Sequence, residues 1–214
     1  FFRFLDIKNF KKQLDYFESK YSFLKRDEWD KYISGNENII SNKKIVLTFD
    51  DAMLCNYEYV LPELEKRGIW GLFYIPTLPY QRKEMLDVHK IHLLCGAFDG
   101  KILLNYLQKI VSPNMLTDKK INSFRNNTYS KQNNYEGISE FKRILNYYVD
   151  YNYRSYLIDK VAFKFNYQFD ADAFYISPKN IIKMHKCGNI IGAHTVHHPV
   201  MSKLNYEDQK LEIE

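Results

Sequence analysis

Cysteine is scarce in this sequence, and its three occurrences lie far apart. Cys55, Cys95 and Cys187 are odd in number and widely spaced, which does not describe a disulfide framework. No two of them form a Cys-x-x-Cys pair, so a zinc knuckle is excluded. This use of cysteine favours a reducing compartment.

Long apolar runs are also absent. No stretch approaches the roughly 20 apolar residues that a transmembrane helix requires, so no membrane span is predicted. No signal peptide is visible either. The chain begins at Phe1 and ends inside a predicted helix from Asn205 to Glu214, so we expect both ends to be cut from a longer protein. The compartment is left open between the cytoplasm and the cell envelope, and the cysteines favour the cytoplasm.

The sequence also has no block of one charge sign. Its formal net charge is +5, but the basic residues are scattered among acidic ones. Nucleic-acid-binding proteins usually carry a basic stripe or a recognisable motif, and this chain has neither. We therefore predict no nucleic-acid partner, and the sequence does not determine the oligomeric state.

The composition is that of a folded protein. The 214 residues suit one domain, because domains commonly have about 100–200 residues. Hydrophobic residues make up 45% and charged residues 27%, close to the average of soluble globular proteins. Behind Asp6, apolar residues at three- and four-residue steps predict an amphipathic helix (Ile7, Phe10, Leu14, Phe17 and Tyr21).

Three short apolar runs predict buried strands, and they indicate an α/β fold. The runs are Lys43–Phe49, Ile69–Ile75 and Asn189–Ala193. Between the first two, Tyr57–Arg67 has a helical pattern that stops at Gly68. A strand, a helix and a strand with short joins predict a right-handed βαβ unit and a parallel sheet.

A long segment separates the second and third predicted strands. Its polar, aperiodic part is Ser112–Gly137, predicted as a loop. The rest is predicted as helix: Met85–Val111, Ser139–Val149 and Tyr153–Phe163. We interpret residues 77-175 as a mostly helical insertion within a single domain, 1-214. It could be a lid or pocket wall, a partner-binding element, or plain elaboration.

Two adjacent carboxylates, Asp50 and Asp51, stand at the end of the first predicted strand. Like charges so close together raise the pKa of one carboxyl unless the two share a cation. Adjacent side chains at a strand end can also point in different directions. One can then bind a metal ion while the other faces the reacting water. Alone, such a pair is more often a solvated loop or a helix cap.

Two histidines follow the third predicted strand. His194 and His198 are four residues apart, so a helical turn would place both imidazoles on one face, beside one metal ion. Two histidines and one carboxylate leave coordination positions for water and substrate, as catalytic sites do. A lone His-x-x-x-His is usually a chance or structural feature. Its combination with the aspartate pair, each at a strand end of one α/β chain, predicts a metal centre.

These two segments carry a family resemblance. Thr48–Asp51 and His194–Pro199 resemble the first two motifs of the polysaccharide deacetylase family, also called the NodB-homology family or carbohydrate esterase family four. The similarity extends over roughly residues 5–76 and 178–214. It implies a distorted (β/α) barrel with its site at the carboxyl ends of the strands. It also implies hydrolysis of an N-acetyl group on an amino sugar.

The resemblance also implies roles for individual residues. By position, Asp51, His194 and His198 would bind a divalent metal ion, most commonly Zn²⁺, with Co²⁺ or Ni²⁺ as alternatives. Asp50 would be the general base that deprotonates the attacking water. Thr195 would help to hold the histidine loop.

The chain departs from the family pattern in three ways. Ala52 stands where the family usually has glycine. The stretch between the two motifs is longer than in compact members. The later motifs, which include the base-orienting arginine and the acid histidine, are absent, so the barrel would be incomplete at the C-terminus.

We therefore expect a metal-dependent deacetylase, a hydrolase of a linear amide C–N bond. Its substrate would be an N-acetylated sugar of a bacterial envelope glycan or a glycan precursor. The alternative is a family member that has lost turnover and serves as a glycan-binding or complex-forming module. His89 and His92, in the insertion, could approach the site, although a structural role is more common for such a pair.

Overall fold

The computed structural model describes residues 6–35, 43–117 and 127–214. The chain folds into two compact units. An α/β unit comprises Arg3–Lys83 and Ala171–Val196, and a helical unit comprises Glu84–Asp170 and His197–Glu214. The described helices and strands are, in chain order, α1 (Ile7–Lys20), β1 (Ser22–Phe23), α2 (Arg26–Ile33), β2 (Lys44–Ile45), β3 (Leu47–Phe49), a π-helical turn (Asn56–Val60) leading into α3 (Leu61–Arg67), β4 (Gly71–Ile75), α4 (Leu78–Arg82), α5 (Asp87–Ala97), α6 (Gly100–Ile110), a 3₁₀ turn (Pro113–Met115), α7 (Ile138–Arg143), a second π-helical turn (Ile144–Tyr148), α8 (Tyr151–Lys164), α9 (Pro178–Lys186), β5 (Ile190–Ala193), a second 3₁₀ turn (Met201–Lys203) and α10 (Tyr206–Leu211).

The α/β unit is built on a parallel sheet with the strand order β3–β4–β5. Leu47 pairs with Gly71, and Leu72 pairs with Ile190. This confirms the predicted α/β class and the parallel strand–helix–strand unit. Within residues 6–35, 43–117 and 127–214 the strands form two small sheets and no closed barrel, so the barrel stays a prediction.

The first predicted strand, Lys43–Phe49, is divided between the two sheets. Its first part, β2, pairs in parallel with β1, while β3 pairs with β4. Backbone bonds flank the β1–β2 pair, from Ser22 N to Lys43 O at 3.1 Å and from Leu24 N to Ile45 O at 2.9 Å. The sequence showed one apolar run, and the partner of its first half is a two-residue strand too short to leave a periodic signal.

Individual residues mark the ends of α3 and the start of β4. Pro62 is the second residue of α3, and it stands where the π-helical turn Asn56–Val60 gives way to the α-helix. Gly68 ends α3 with a φ of 66°, a left-handed conformation that suits glycine. Buried Asn189 then joins three elements, because its Oδ1 accepts from Gly71 N at 2.9 Å and its Nδ2 donates to Met184 O at 3.1 Å.

The helical unit has its own apolar core, drawn from α5 to α8 and the turns between them. The fully buried aliphatic members include Ile91, Leu94, Leu103, Leu107, Leu145, Leu157, Ile158 and Val161. The predicted helix Met85–Val111 is two helices, since Asp99 starts a new one. The Asp99 carboxylate accepts from the backbone N–H groups of Lys101 and Ile102, which caps α6.

Two of the helices predicted between the second and third strands are confirmed with shifted ends. Ser139–Val149 corresponds to α7 and its π-helical turn, and Tyr153–Phe163 lies within α8. Part of the predicted loop Ser112–Gly137, residues 118–126, lies outside the described residues. Across the described ranges, every helix is too short or too polar to cross a membrane.

Candidate metal centre

Asp51 and His194 meet at one edge of the parallel sheet. Asp50 and Asp51 directly follow β3, and His194 directly follows β5. Because the strands are parallel, their carboxyl ends lie at the same edge. Oδ1 of Asp51 lies 3.4 Å from Nε2 of His194, and both side chains are about three-quarters buried. Asp50 is exposed beside them.

His198 completes a cluster that could bind a metal ion. One ligand atom each of Asp51, His194 and His198 lies within 4.8 Å of the other two. Two imidazoles and one carboxylate are a zinc donor set. Two donors on one tetrahedral Zn²⁺ stand about 3.3 Å apart, given bond lengths of about 2.0–2.1 Å, and the 3.4 Å between Asp51 and His194 fits that spacing. Imidazole also suits other transition metals, so the donor set alone does not select Zn²⁺.

The backbone around this cluster is unusual. Asp51, Ala52, Thr195 and His198 all have positive φ, between 53° and 73°. This left-handed region is uncommon for residues other than glycine and costs roughly 1–2 kcal/mol per residue. Such conformations persist where surrounding contacts hold them, and they concentrate at functional sites. The conformation of Ala52 is one that glycine adopts more easily than alanine.

Contacts within the α/β unit hold the turn after β3. Ile176 N donates to Ala52 O at 2.9 Å, and Leu54 N donates to Phe174 O at 2.8 Å. The side-chain amide of buried Asn56 donates to Asp50 O at 3.3 Å. The segment before α9 therefore fixes the aspartate turn, although the sequence motif does not include that segment.

The end of β4 and the residues after it hold the first part of the histidine loop. Ile75 O accepts from His194 N at 3.0 Å, and Thr77 N donates to Thr195 O at 3.1 Å. Gly192 allows a close approach, because a Cβ there would lie 2.8 Å from the ring of Tyr74. That ring lies 6.2 Å from the ring of His194, measured between centroids. The backbone carbonyl of Thr195 thus contributes to holding the loop, and the predicted role of its side chain stays a prediction.

Two further histidines lie close to His198. His89 on α5 is 1% exposed, and its ring centroid is 6.3 Å from that of His198. Of the two histidines noted in the insertion, His89 is therefore beside a proposed ligand. His197 is about half exposed and lies outside the three-residue cluster, and its ring Nδ1 is 2.7 Å from Oε1 of Glu212.

Comparisons with known proteins add little to this geometry. The sequence matches no known family model and no curated protein. Among solved structures it is similar to a Streptococcus pyogenes deacetylase, PplD, in complex with acetate, with 15% identity and a TM-score of 0.43. The match covers 92% of this chain and 48% of that one, so this chain spans about half the length of the structure it matches. A similarity this weak does not support a functional assignment. Membership of the polysaccharide deacetylase family therefore stays a prediction.

Proposed function

We propose that this chain holds the metal-binding part of a hydrolase that removes an N-acetyl group from an amino sugar of a bacterial glycan or glycan precursor. The observation that carries the proposal is the cluster of Asp51, His194 and His198, with a second, exposed carboxylate next to it. In the same proposal, Asp51, His194 and His198 are the metal ligands and Asp50 is the general base.

Each residue then has a defined task. Asp51, His194 and His198 present one oxygen and two nitrogens to a divalent ion. When bound there, such an ion supplies a Lewis acid that polarises an acetamide carbonyl and lowers the pKa of water. Asp50 accepts the proton of the attacking water, which adds to the carbonyl carbon. The C–N bond breaks to give acetate and a free amine. The leaving nitrogen also takes up a proton, and no residue of this chain is assigned that role.

The proposal includes the architecture that the resemblance implies. The three parallel strands would be part of a distorted (β/α) barrel. Residues 77-175 would be an insertion within one catalytic domain, 1-214. Within this chain, the proposed ligands Asp51 and His194 follow the carboxyl ends of parallel strands, where α/β enzymes place their sites.

Metal content by mass spectrometry tests the ligand assignment. We expect about one ion per chain in the wild type and none in Asp51→Ala or His194→Ala. His185→Ala is the matched control, because His185 is an exposed histidine on α9. Asp50→Asn should keep the ion and lose acetate release from an N-acetylglucosamine oligomer by a factor of about 10²–10⁴ in the full-length protein.

The outcomes separate the functions. A folded wild type that takes up no ion from added zinc would rule out the assigned ligands. An ion that binds stoichiometrically, with no acetate release from any N-acetylated sugar, would favour the glycan-binding or complex-forming module instead. Retained turnover in Asp50→Asn would remove Asp50 from the mechanism and leave the metal site intact.

A further inference from the structure

His198 lies in a strained turn, and contacts within the helical unit fix the backbone on both sides of it. Its φ is 54°, in the left-handed region that non-glycine residues seldom adopt. Its neighbour His197 and nearby Val200 each donate their backbone N–H to a side chain from elsewhere in the helical unit. The backbone that carries His198 is therefore held at two points.

Glu212 holds the N-terminal side of His198. Its Oε2 accepts from His197 N at 2.8 Å, and its Oε1 lies 2.7 Å from the Nδ1 of the His197 ring. The Glu212 side chain is only 11% exposed, so water competes weakly for it. Glu212 directly follows α10, and its own N–H bonds to Asp208 O at 3.2 Å. The carboxylate is thus presented from an ordered helix end.

Tyr151 holds the C-terminal side. Its hydroxyl accepts from Val200 N at 2.9 Å and donates to Asn146 O at 3.3 Å. The ammonium of Lys203 lies 4.1 Å from the centre of the Tyr151 ring, and Arg154 lies 5.1 Å from it. Tyr151 is the first residue of α8, which Asp150 caps through Asn152 N. Its hydroxyl is therefore placed by both the helix start and the ring contacts.

Asn146, which accepts the hydrogen bond of the Tyr151 hydroxyl, is itself buried and makes further hydrogen bonds. Asn146 is 4% exposed, and its Oδ1 accepts from Nη2 of Arg154 at 2.7 Å. Its Nδ2 donates to the hydroxyl of Tyr129 at 2.9 Å. Lys203 Nζ donates to Val149 O at 2.9 Å, which ties the chain after His198 to the end of the π-helical turn. A polar network with this many bonds resists rearrangement.

We propose that Glu212 and Tyr151 are positioning residues for the His198 ligand: they hold the backbone on either side of it so that its imidazole is ready for the metal ion. This inference rests on the proposed function, because it presumes that His198 binds a metal. Neither residue is a ligand in it. Groups that hydrogen-bond a metal ligand directly commonly change metal affinity by about 10–100-fold when they are altered. Glu212 and Tyr151 bond to the backbone beside the ligand, so we expect an effect at the lower end of that range.

Zinc affinity, measured by competition with a chromophoric chelator, tests the inference. We expect Tyr151→Phe and Glu212→Ala each to weaken binding by about tenfold, still with about one ion per chain. Tyr151→Phe keeps the ring against Lys203 and removes only the hydroxyl. Glu212→Gln keeps an oxygen for His197 N and should restore part of the affinity lost in Glu212→Ala. The matched controls are the exposed residues Tyr156→Phe and Glu207→Gln, which should bind as the wild type does.

A spectroscopic readout separates positioning from simple stability. With Co²⁺ in place of zinc, the visible absorption bands report the ligand geometry of the folded protein. We expect these bands to change in Tyr151→Phe and Glu212→Ala and to match the wild type in both controls. A role limited to stability would lower the free energy of unfolding and leave the affinity and the bands of the folded protein unchanged.

Different results would contradict the proposed metal ligands and the proposed positioning residues. If the wild type binds one ion and both variants bind it with wild-type affinity and bands, the positioning role is wrong and the proposed function stands. If the folded wild type binds no ion, the ligand assignment is wrong and the positioning role is rejected with it. Weakened binding in Tyr151→Phe and Glu212→Ala, with unchanged controls, supports both.

Discussion

Replacing Asn189 by alanine should destabilise the α/β unit by about 2 kcal/mol. Asn189 is 2% exposed, and its side chain joins the start of β4 to the end of α9, immediately before β5. Removing its Oδ1 leaves the N–H of Gly71 without its bond in a buried position, and an unsatisfied buried group of this kind costs about 1–3 kcal/mol. The carbonyl of Met184 loses less, because it also accepts from the backbone N of Asn189 at 3.3 Å.

Urea unfolding, followed by circular dichroism and tryptophan fluorescence, measures this cost. Trp70 precedes Gly71 in the chain and reports the same region. The control is Asn152→Ala, because the Asn152 side chain is exposed, and it should stay within about 0.5 kcal/mol of the wild type. Asn189→Asp keeps the acceptor for Gly71 but sets a carboxylate oxygen against Met184 O, so at neutral pH it should be at least as destabilising as alanine. The reasoning would be refuted if the free energy of unfolding of Asn189→Ala lay within about 0.5 kcal/mol of the wild type while its slope against urea concentration stayed the same.

Two other predictions use the helical unit and the same unfolding assay. Gly100→Ala should lower the free energy of unfolding by about 1–3 kcal/mol, because its Cβ would lie 2.4 Å from the backbone oxygen of Glu136. At Gly96 in α5 a Cβ would meet open space, so Gly96→Ala should raise the free energy of unfolding by about 0.5–1 kcal/mol. Equal effects of the two substitutions would contradict the packing described for Gly100. Burial, and more weakly Arg154, lowers the pKa of Lys203 to about 8, while Asp150 opposes the shift. Because the unfolded chain then binds more protons between pH 8 and about 10.4, the wild type should gain about 1–2 kcal/mol over Lys203→Met across that window, after allowance for solvent screening. A difference that shrinks or stays constant with rising pH would contradict the direction of the shift.

The parts of the fold that the sequence predicted depend on local signals. Gly68 ends α3, and Asp6 caps α1 by accepting from Lys8 N at 3.2 Å. Each signal acts within a few residues, so apolar runs and helix-end residues were sufficient to predict β3, β4 and β5 as strands and the first two of them as a parallel pair. Helix α2 was missed for the opposite reason. It has eight residues and none of them is buried, so its sequence shows no clear apolar period. Its tryptophan, Trp29, contacts Trp70 at 5.7 Å between ring centroids, and one aromatic contact gives no period.

The division of Lys43–Phe49 and the break before α6 show a second limit. An apolar run reports that a segment is buried and does not report which strand it pairs with. The β2 part pairs with a two-residue strand, and only the three-dimensional arrangement reveals the change of partner. The break at Asp99 did have a signal, a capping aspartate followed by a glycine, but the surrounding helical period concealed it.

Some residues of the candidate site could be predicted from the sequence, and others become visible only in the structure. Asp50, Asp51, His194 and His198 stand in short motifs at strand ends, so residue type and spacing were enough to propose them as site residues, and the structure places Asp51, His194 and His198 in one cluster. Glu212 and Tyr151 have no motif, and they reach the histidine loop from 15 and 49 positions away in the chain. What they contribute is the conformation of the loop that carries His198, whose left-handed φ is unfavourable by itself. A candidate ligand can therefore be proposed from its own residue type, whereas the residues proposed to hold it are defined by contacts with the backbone beside it, which any side chain with a suitable oxygen can make.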